Sequence, residues 1–428
     1  MKRLFVTITG MTWLTASALG IVIVVVLLSF VVTAPPHRIV IAAGPAGSYF
    51  DVTAHRYAEA LRKEGLQTEI LNTQGALDNI RLINAPDSHV DFAFIHGGLT
   101  DAQASPDLMS LGSVGFEPVW VFYRASLGPL DRINALQGRR IAIGPEGSGV
   151  HVLARKFLAA VGIDERNSRL PALDDAQVRE GLKDGSLDAV FVMDPPESPR
   201  IRALMEMPGV RALPMSRAEA MRRNFPFLHV RTLPRGTVDL QRDLPAEDTP
   251  LVVTTAVVVA RKSTHSAVVY LLMSILDAVH EAPTLMSNEN EFPADKDVDV
   301  PLAPQAERYY AGGKPFLQRY LPFWVASVLE RLLAVALPLA ALFFPFMNIV
   351  PKVYNWRIRN KITRCYQELI ELERQVRVLP REKLNEEFER LVRVVDEYLD
   401  ARKVPVSYSN EIYVLKEHIE LVRRKIGA

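Results

Sequence analysis

The chain has 428 residues, enough for more than one domain with its own core, and its 50 basic and 49 acidic side chains leave a net charge of +1. That balance excludes the basic excess that announces a nucleic-acid partner. The single cysteine, Cys365, excludes an intrachain disulfide. A short N-terminus, 1–10, carries Lys2 and Arg3 and leads into the uncharged stretch Met11–Val32. This stretch is long enough to span a bilayer and exceeds the roughly 7–15 apolar residues of a signal peptide. Val32 and Ala34 mimic a cleavage site, but Pro35 and Pro36 oppose cleavage, so 11–33 reads as an uncleaved anchor.

From Arg38 onward, strand-like and helix-like stretches alternate. RIVIAAG reads as strand and YFDVTAHRYAEALRKEG as helix; TEILNTQG is strand, ALDNIRLINAP helix and DFAFIHGG a short buried strand. PVWVFYRA and RRIAIG follow as strands, then VHVLARKFLAAVG and DDAQVREGLKDG as helices. LDAVFVMD and the β-branched TPLVVTTAVVVARK are strands, and HSAVVYLLMSILDAVHEA is a helix. This order predicts α/β units with largely parallel sheets, begun once at Arg38 and again at Arg139. The stretch from Ala203 to Pro250, rich in proline and arginine, reads as irregular and solvated.

A second apolar course, Val325–Val350, is expected to form a transmembrane helix over 325–350, in which Pro338 and Pro345 are tolerable. Lys352, Arg357, Arg359, Lys361 and Arg364 follow it. With Lys2 and Arg3 they predict both termini on the cytoplasmic side of the membrane and 34–322 outside it. In the tail, 351–428, apolar residues recur at spacings of three and four: Ile362 to Leu379, Leu384 to Tyr398, and Ile412 to Ile426, separated near Pro380 and Pro405. Three amphipathic helices are expected, packing as a small bundle or self-associating. They serve either as a foot for the anchor or as a docking element.

Two strand–loop–helix units hold the functional signal, IVIAAGPAGSYF and IAIGPEGSGVHV. Gly44 and Gly47 in the first, and Gly147 and Gly149 in the second, allow tight turns, and Ser48 and Ser148 add hydroxyls beside each helix start. Helix N-termini present free N–H groups to an anion. Glycines in such loops also serve merely to cap an α/β turn. Neither loop has GK[ST] or GxGxxG, so neither is a phosphate or dinucleotide fingerprint. Two such loops on two similar lobes predict a cleft closing on a small acid. Ser48, His96 and Asp194 lack any GxSxG elbow, and no HExxH or CxxC occurs, so the expectation is a protein that is not an enzyme and needs no cofactor or metal.

In order along the chain, IVIAAGPAGSYF, TQGALDNIRLINAPDSHVDFAFIHGG, GFEPVWVFYR, LQGRRIAIGPEGSGVHVLARKFLAAVG and GLKDGSLDAVFVMDPP resemble the TAXI-type solute receptors of tripartite ATP-independent periplasmic (TRAP) transporters, over residues 38 to 280. The helical tail is similar to that of a membrane-anchored branch of that family. The resemblance implies a type II periplasmic-binding-protein fold: two α/β lobes with a crossing hinge, lobe 1 about 38–123 and 250–315, lobe 2 about 124–249. It places Gly47, Ser48 and Tyr49 in the first-lobe loop, Asn79 on the following helix, His96 at a strand end and Glu117 in an FEP turn. Gly147, Ser148 and Gly149 form the second-lobe loop, and Asp194 follows LDAVFV. His96, where the family often has glutamine, and the Asp194–Pro195–Pro196 turn depart from its pattern, which puts the usual ligand in question. Each polar residue also has a structural use: His96 and Asp194 held by neighbouring loops, Tyr49 packed on lobe 1, Glu117 holding the hinge.

The function expected is capture of a small organic acid or amino acid, glutamate- or dicarboxylate-like, for TRAP transporter membrane subunits, by a receptor anchored in the cytoplasmic membrane with its main domain periplasmic. The alternative is a ligand sensor relaying lobe closure inward through the tail, because a doubly anchored receptor cannot shuttle.

Overall fold

The computed structural model describes residues 35–376, 379–398 and 408–426. In chain order the elements are β1 (Arg38–Ala42), α1 (Tyr49–Lys63), β2 (Gln67–Leu71), α2 (Ala76–Asn84), β3 (Phe92–His96), β4 (Leu108–Arg124), β5 (Ile141–Ala142), α3 (Gly149–Ala160), α4 (Asp175–Asp184) and β6 (Ala189–Met193). They continue with α5 (Pro199–Met205), β7 (Val210–Ala212), α6 (Ala218–Asn224), β8 (His229–Leu233), β9 (Thr249–Arg261), α7 (Ser266–His280), α8 (Pro304–Gly312), α9 (Phe323–Gln375), α10 (Arg381–Tyr398) and α11 (Ser409–Ile426). Two compact units result, one reaching Arg331 and the other starting at Leu332.

The first unit holds two α/β lobes. One sheet runs β2-β1-β3-β9-β4, with β8 beside β9; the other runs β4-β6-β5, with β7 beside β4. Strand periodicity explains why each sheet is covered on both faces. In β1, Ile39 and Ile41 enter a core with α1, α7 and α8, whereas Val40 and Ala42 face Ile83 of α2. In β4, Val119, Val121 and Tyr123 face α3, whereas Trp120 and Phe122 face α4 and α5.

The sheets are joined through β4 and β9. From Leu108 to Pro118, β4 pairs antiparallel with β9; from Val119 to Tyr123 it pairs with β6 instead. β9 in turn pairs with β8 up to Val253 and with β3 from Ala256. Glu117 therefore lies inside a continuous strand, not in the FEP turn expected from the sequence. Pro118 has no N–H to donate, and it stands where β4 changes partners. The stretch 203–250 is also more ordered than expected, holding α6, β7 and β8, whose shortness hid their periodicity.

The second unit includes a bundle of the end of α9 with α10 and α11. Ile362, Cys365, Leu369 and Leu372 pack with Leu384, Phe388, Leu391 and Val395, and with Ile412, Leu415, Ile419, Val422 and Ile426. These are the positions spaced three and four apart in the sequence. The first of the three helices has no separate start: it is the last part of the 53-residue α9.

Among the described residues no helix is long and apolar enough to cross a membrane. The transmembrane helix expected over 325–350 is thus not found among them. Its apolar course is an internal part of α9, bordered by Glu330 and Arg331 on one side and by Lys352, Arg357 and Arg359 on the other. The anchor expected over 11–33 and the segment 1–10 lie outside the described residues.

Two bulges in β4, between Ser110 and Gly112 and between Ser113 and Gly115, set the register that brings Glu117 opposite Thr254. Gly112 has φ +121°, and a Cβ there would collide with the Tyr310 hydroxyl and lie 2.6 Å from the Ala294 carbonyl. Gly112→Ala is expected to cost about 2–4 kcal/mol in urea unfolding, adding strain to overpacking. Gly128→Ala, with a similar φ but open space around it, should cost about 1–3 kcal/mol.

Candidate functional site

Five of the sequence-predicted residues meet where β4 and β9 cross. His96 ends β3, and its imidazole Nε2 lies 2.7 Å from Glu117 Oε2. Phe50, at the start of α1, lays its ring on the imidazole at 4.7 Å between centroids. From the other lobe comes Asp194, one residue past β6; its Oδ1 accepts from the Tyr49 N–H at 3.3 Å. Gly149, the first residue of α3, faces the remaining imidazole nitrogen so closely that a Cβ would strike His96 Nδ1. His96, Glu117 and Asp194 are 5%, 3% and 2% exposed. Three of their polar atoms have no hydrogen-bond partner: His96 Nδ1, Glu117 Oε1 and Asp194 Oδ2. Buried polar groups are seldom left so, since each costs about 1–3 kcal/mol.

Burial pushes the Asp194 carboxyl up to about 7, and the Glu117 carboxylate adds to the rise. Arg200, the Ser198 hydroxyl and the Tyr49 N–H oppose it. Tyr49 is also raised, by burial first and Glu117 second. Its hydroxyl reaches the Val114 carbonyl at 3.4 Å.

The glycine loops close the lobes upon each other. Asp78 of α2 donates its N–H to the Gly147 carbonyl at 3.1 Å, and a Cβ on Gly147 would lie 2.5 Å from the Asp78 carboxylate. Gly75, at φ +129°, would place a Cβ 3.3 Å from Ser148 Cα.

Ser48 Oγ accepts from the Asp51 N–H, and Ser148 Oγ accepts from the His151 N–H while donating to the Pro145 carbonyl. Both hydroxyls are N-caps of their own helices. Gly47 gives its N–H to the Asp51 carboxylate at 2.8 Å and is exposed. Asn79 is fully buried and committed: its amide donates to Ala43 and Phe94 carbonyls, and its oxygen accepts from Thr73. It ties α2 to β1 and β3. His96 pairs with Glu117 while Ser48 caps a helix, so no Ser–His–Asp triad is assembled.

Sequence reasoning missed Trp120, whose indole N–H holds the Asp194 carbonyl at 2.9 Å, and Phe50 and Asp78. Trp120 reads as one more strand aromatic, and Phe50 as core. The acidic residue in the first turn of α2 was the one visible signal for Asp78.

Residues 40–312 match the model of the NMT1-like family. Among solved structures, similarity extends to the alkanesulfonate-binding protein SsuA from Xanthomonas axonopodis pv. citri bound to MOPS, at 21% identity and a TM-score of 0.31, over 42% of this chain and 61% of that one. The match thus spans less than two thirds of that protein. An ancestral arginine-binding protein bound to arginine is similar at 12% identity and a TM-score of 0.39, over 58% of this chain and 95% of its own. The aliphatic sulphonate binding protein SsuA from Escherichia coli is similar at 16% identity and a TM-score of 0.33, over 65% and 84%. Likeness at this level says nothing of a shared ligand.

The raised carboxyl has a measurable consequence. An unfolded chain releases the Asp194 proton near 3.8, the native one near 7, so between these values the native state holds more proton. Its contribution to stability is complete below about pH 4 and is lost as pH rises through about 7. Asp194→Asn should flatten this slope and leave the variant more stable above about pH 7, by on the order of 2–4 kcal/mol. Urea unfolding between about pH 5 and 8 measures it; parallel slopes in the two proteins would show that the carboxyl is not held protonated.

Proposed function

Because this chain belongs to the NMT1-like family, we propose that it is a solute-binding receptor whose two lobes enclose a small organic acid or amino acid. The observation that carries the reading is the buried polar cluster at the lobe crossing, supplied by both lobes and holding three atoms without partners. A solute entering between the lobes supplies what those atoms lack, and lobe closure removes it from water. Capture for TRAP-type transporter membrane subunits is the role that the ordered motifs favour.

Placement at a membrane belongs to the same proposal. Met11–Val32 is the tether, and the exposed Val325, Val328, Leu332, Leu333 and Leu337 of α9 offer apolar surface to a bilayer. The basic residues Lys2 and Arg3 before the tether put the N-terminus in the cytoplasm and the two lobes outside it.

One observation favours sensing as a second reading. α1 begins at the cluster, where the Tyr49 N–H meets Asp194, and ends against α9. Trp324, in the first turn of α9, donates its indole N–H to the Glu64 carbonyl at 2.8 Å and stacks on His37 at 5.0 Å. Gly65 leaves the room: a Cβ there would lie 2.9 Å from Trp324 Nε1. A 15-residue helix, about 22 Å long, thus links the site to α9.

A thermal-shift screen of the full chain in detergent against amino acids, oxo acids and dicarboxylates should give a dose-dependent rise, lost in His96→Ala. A folded chain that answers none of them would remove the receptor reading. For sensing, a solute that binds should protect the tail helices from limited proteolysis, and Trp324→Ala should abolish the protection while leaving affinity within about twofold, since Trp324 touches no residue of the cluster.

A further inference from the structure

We propose that the solute carries an ammonium group, which the crossing site holds between Glu117 and Asp194, so that the ligand is an amino acid or a related amine and not a plain carboxylic or dicarboxylic acid. The inference rests on the receptor reading and narrows it.

Glu117 Oε1, and Asp194 Oδ2 once its carboxyl ionises, are acceptors on side chains more than nine-tenths buried, and neither atom has a partner. The other oxygen of each is already used, Glu117 Oε2 by His96 and Asp194 Oδ1 by the Tyr49 N–H. What fits the two open atoms is a donor, and an ammonium brings three. Its charge adds to the fit, because hydrogen bonds between ionised partners are about twice as strong as neutral ones.

The surrounding charges point the same way. Glu117 and Asp194 lie close enough that the charge of one hinders ionisation of the other. A dicarboxylate would bring two more negative charges to this pair. Among the described residues, Arg200 is the guanidinium that acts on Asp194, and it is ion-paired with Asp175. The Ser148 hydroxyl already donates its proton to the Pro145 carbonyl and has none for a ligand carboxylate. A ligand ammonium relieves the repulsion between the two acids and lets Asp194 ionise in place.

His96 fits the same arrangement. With Nε2 donating to Glu117, its Nδ1 is an acceptor facing Gly149 at the start of α3. In that tautomer the imidazole is a third open acceptor on the wall of the site. Rings from Phe50 and Trp120 bound the cluster from the two lobes.

Matched solutes that differ in the amino group separate the possibilities. The full chain in detergent is titrated calorimetrically with L-alanine and propionate, L-leucine and 4-methylpentanoate, and L-glutamate and glutarate. At least one amino member should bind, and its partner lacking the amino group should bind at least about 30-fold more weakly, as expected when one side of a buried charged pair is removed. Glu117→Gln should weaken the amino member at least tenfold, and Asp194→Asn gives the same reading should Glu117→Gln fail to fold. An acid that binds as tightly as its amino counterpart, untouched by these substitutions, overturns the ammonium site and leaves the receptor standing. Silence from all six solutes on a folded chain overturns both.

Discussion

The shared antiparallel pair of β4 and β9 is the constraint on which the rest depends. Each strand contributes to both lobes: β4 changes partner from β9 to β6 after Pro118, and β9 changes from β8 to β3 after Val253. Backbone hydrogen bonds along this ladder hold the lobes together. Glu117, opposite Thr254, stands at the crossing itself. His96 and Asp194 are brought to it from either side.

The cluster is built from groups that are costly to bury together. Two carboxyls and an imidazole are removed from water, and the Asp194 carboxyl responds by holding its proton near neutrality. Such an arrangement weakens the closed lobes on their own and favours whatever solute completes it. The glycine loops have a different task from the one their composition suggests. They allow the close approach that lets Asp78 bond Gly147 and Gly149 face His96, while their serines begin helices. Backbone approach between the lobes is one thing the two loops contribute.

The tail reached its form by a simpler route. Each helix carries one apolar stripe, and three stripes together enclose Phe388 and Leu415 completely. No long-range polar pairing is needed, so spacing alone predicts the contacts. The opposite holds for α9, where an apolar course that reads as a bounded segment continues as helix to Gln375.

Strand alternation, helix caps and the tail stripes were legible because each is decided by residues within a few positions of one another. Ile39 and Ile41 against Val40 and Ala42, or Leu384 against Phe388, declare their faces by period alone. The ten candidate site residues were legible as positions, but their uses were not. Nothing local to Asn79 says that its amide is spent on Ala43 and Phe94. Glu117 looked like a turn residue because Pro118 follows it, and only the change of strand partner explains a proline there. The sequence by itself determined the elements, their buried faces and the residue types available to a site. Tertiary structure decided which of those residues meet: His96 with Glu117 across 21 positions and Tyr49 with Asp194 across 145. Such pairings follow from strand order and crossing, which depend on the packing of whole sheets and not on any local pattern.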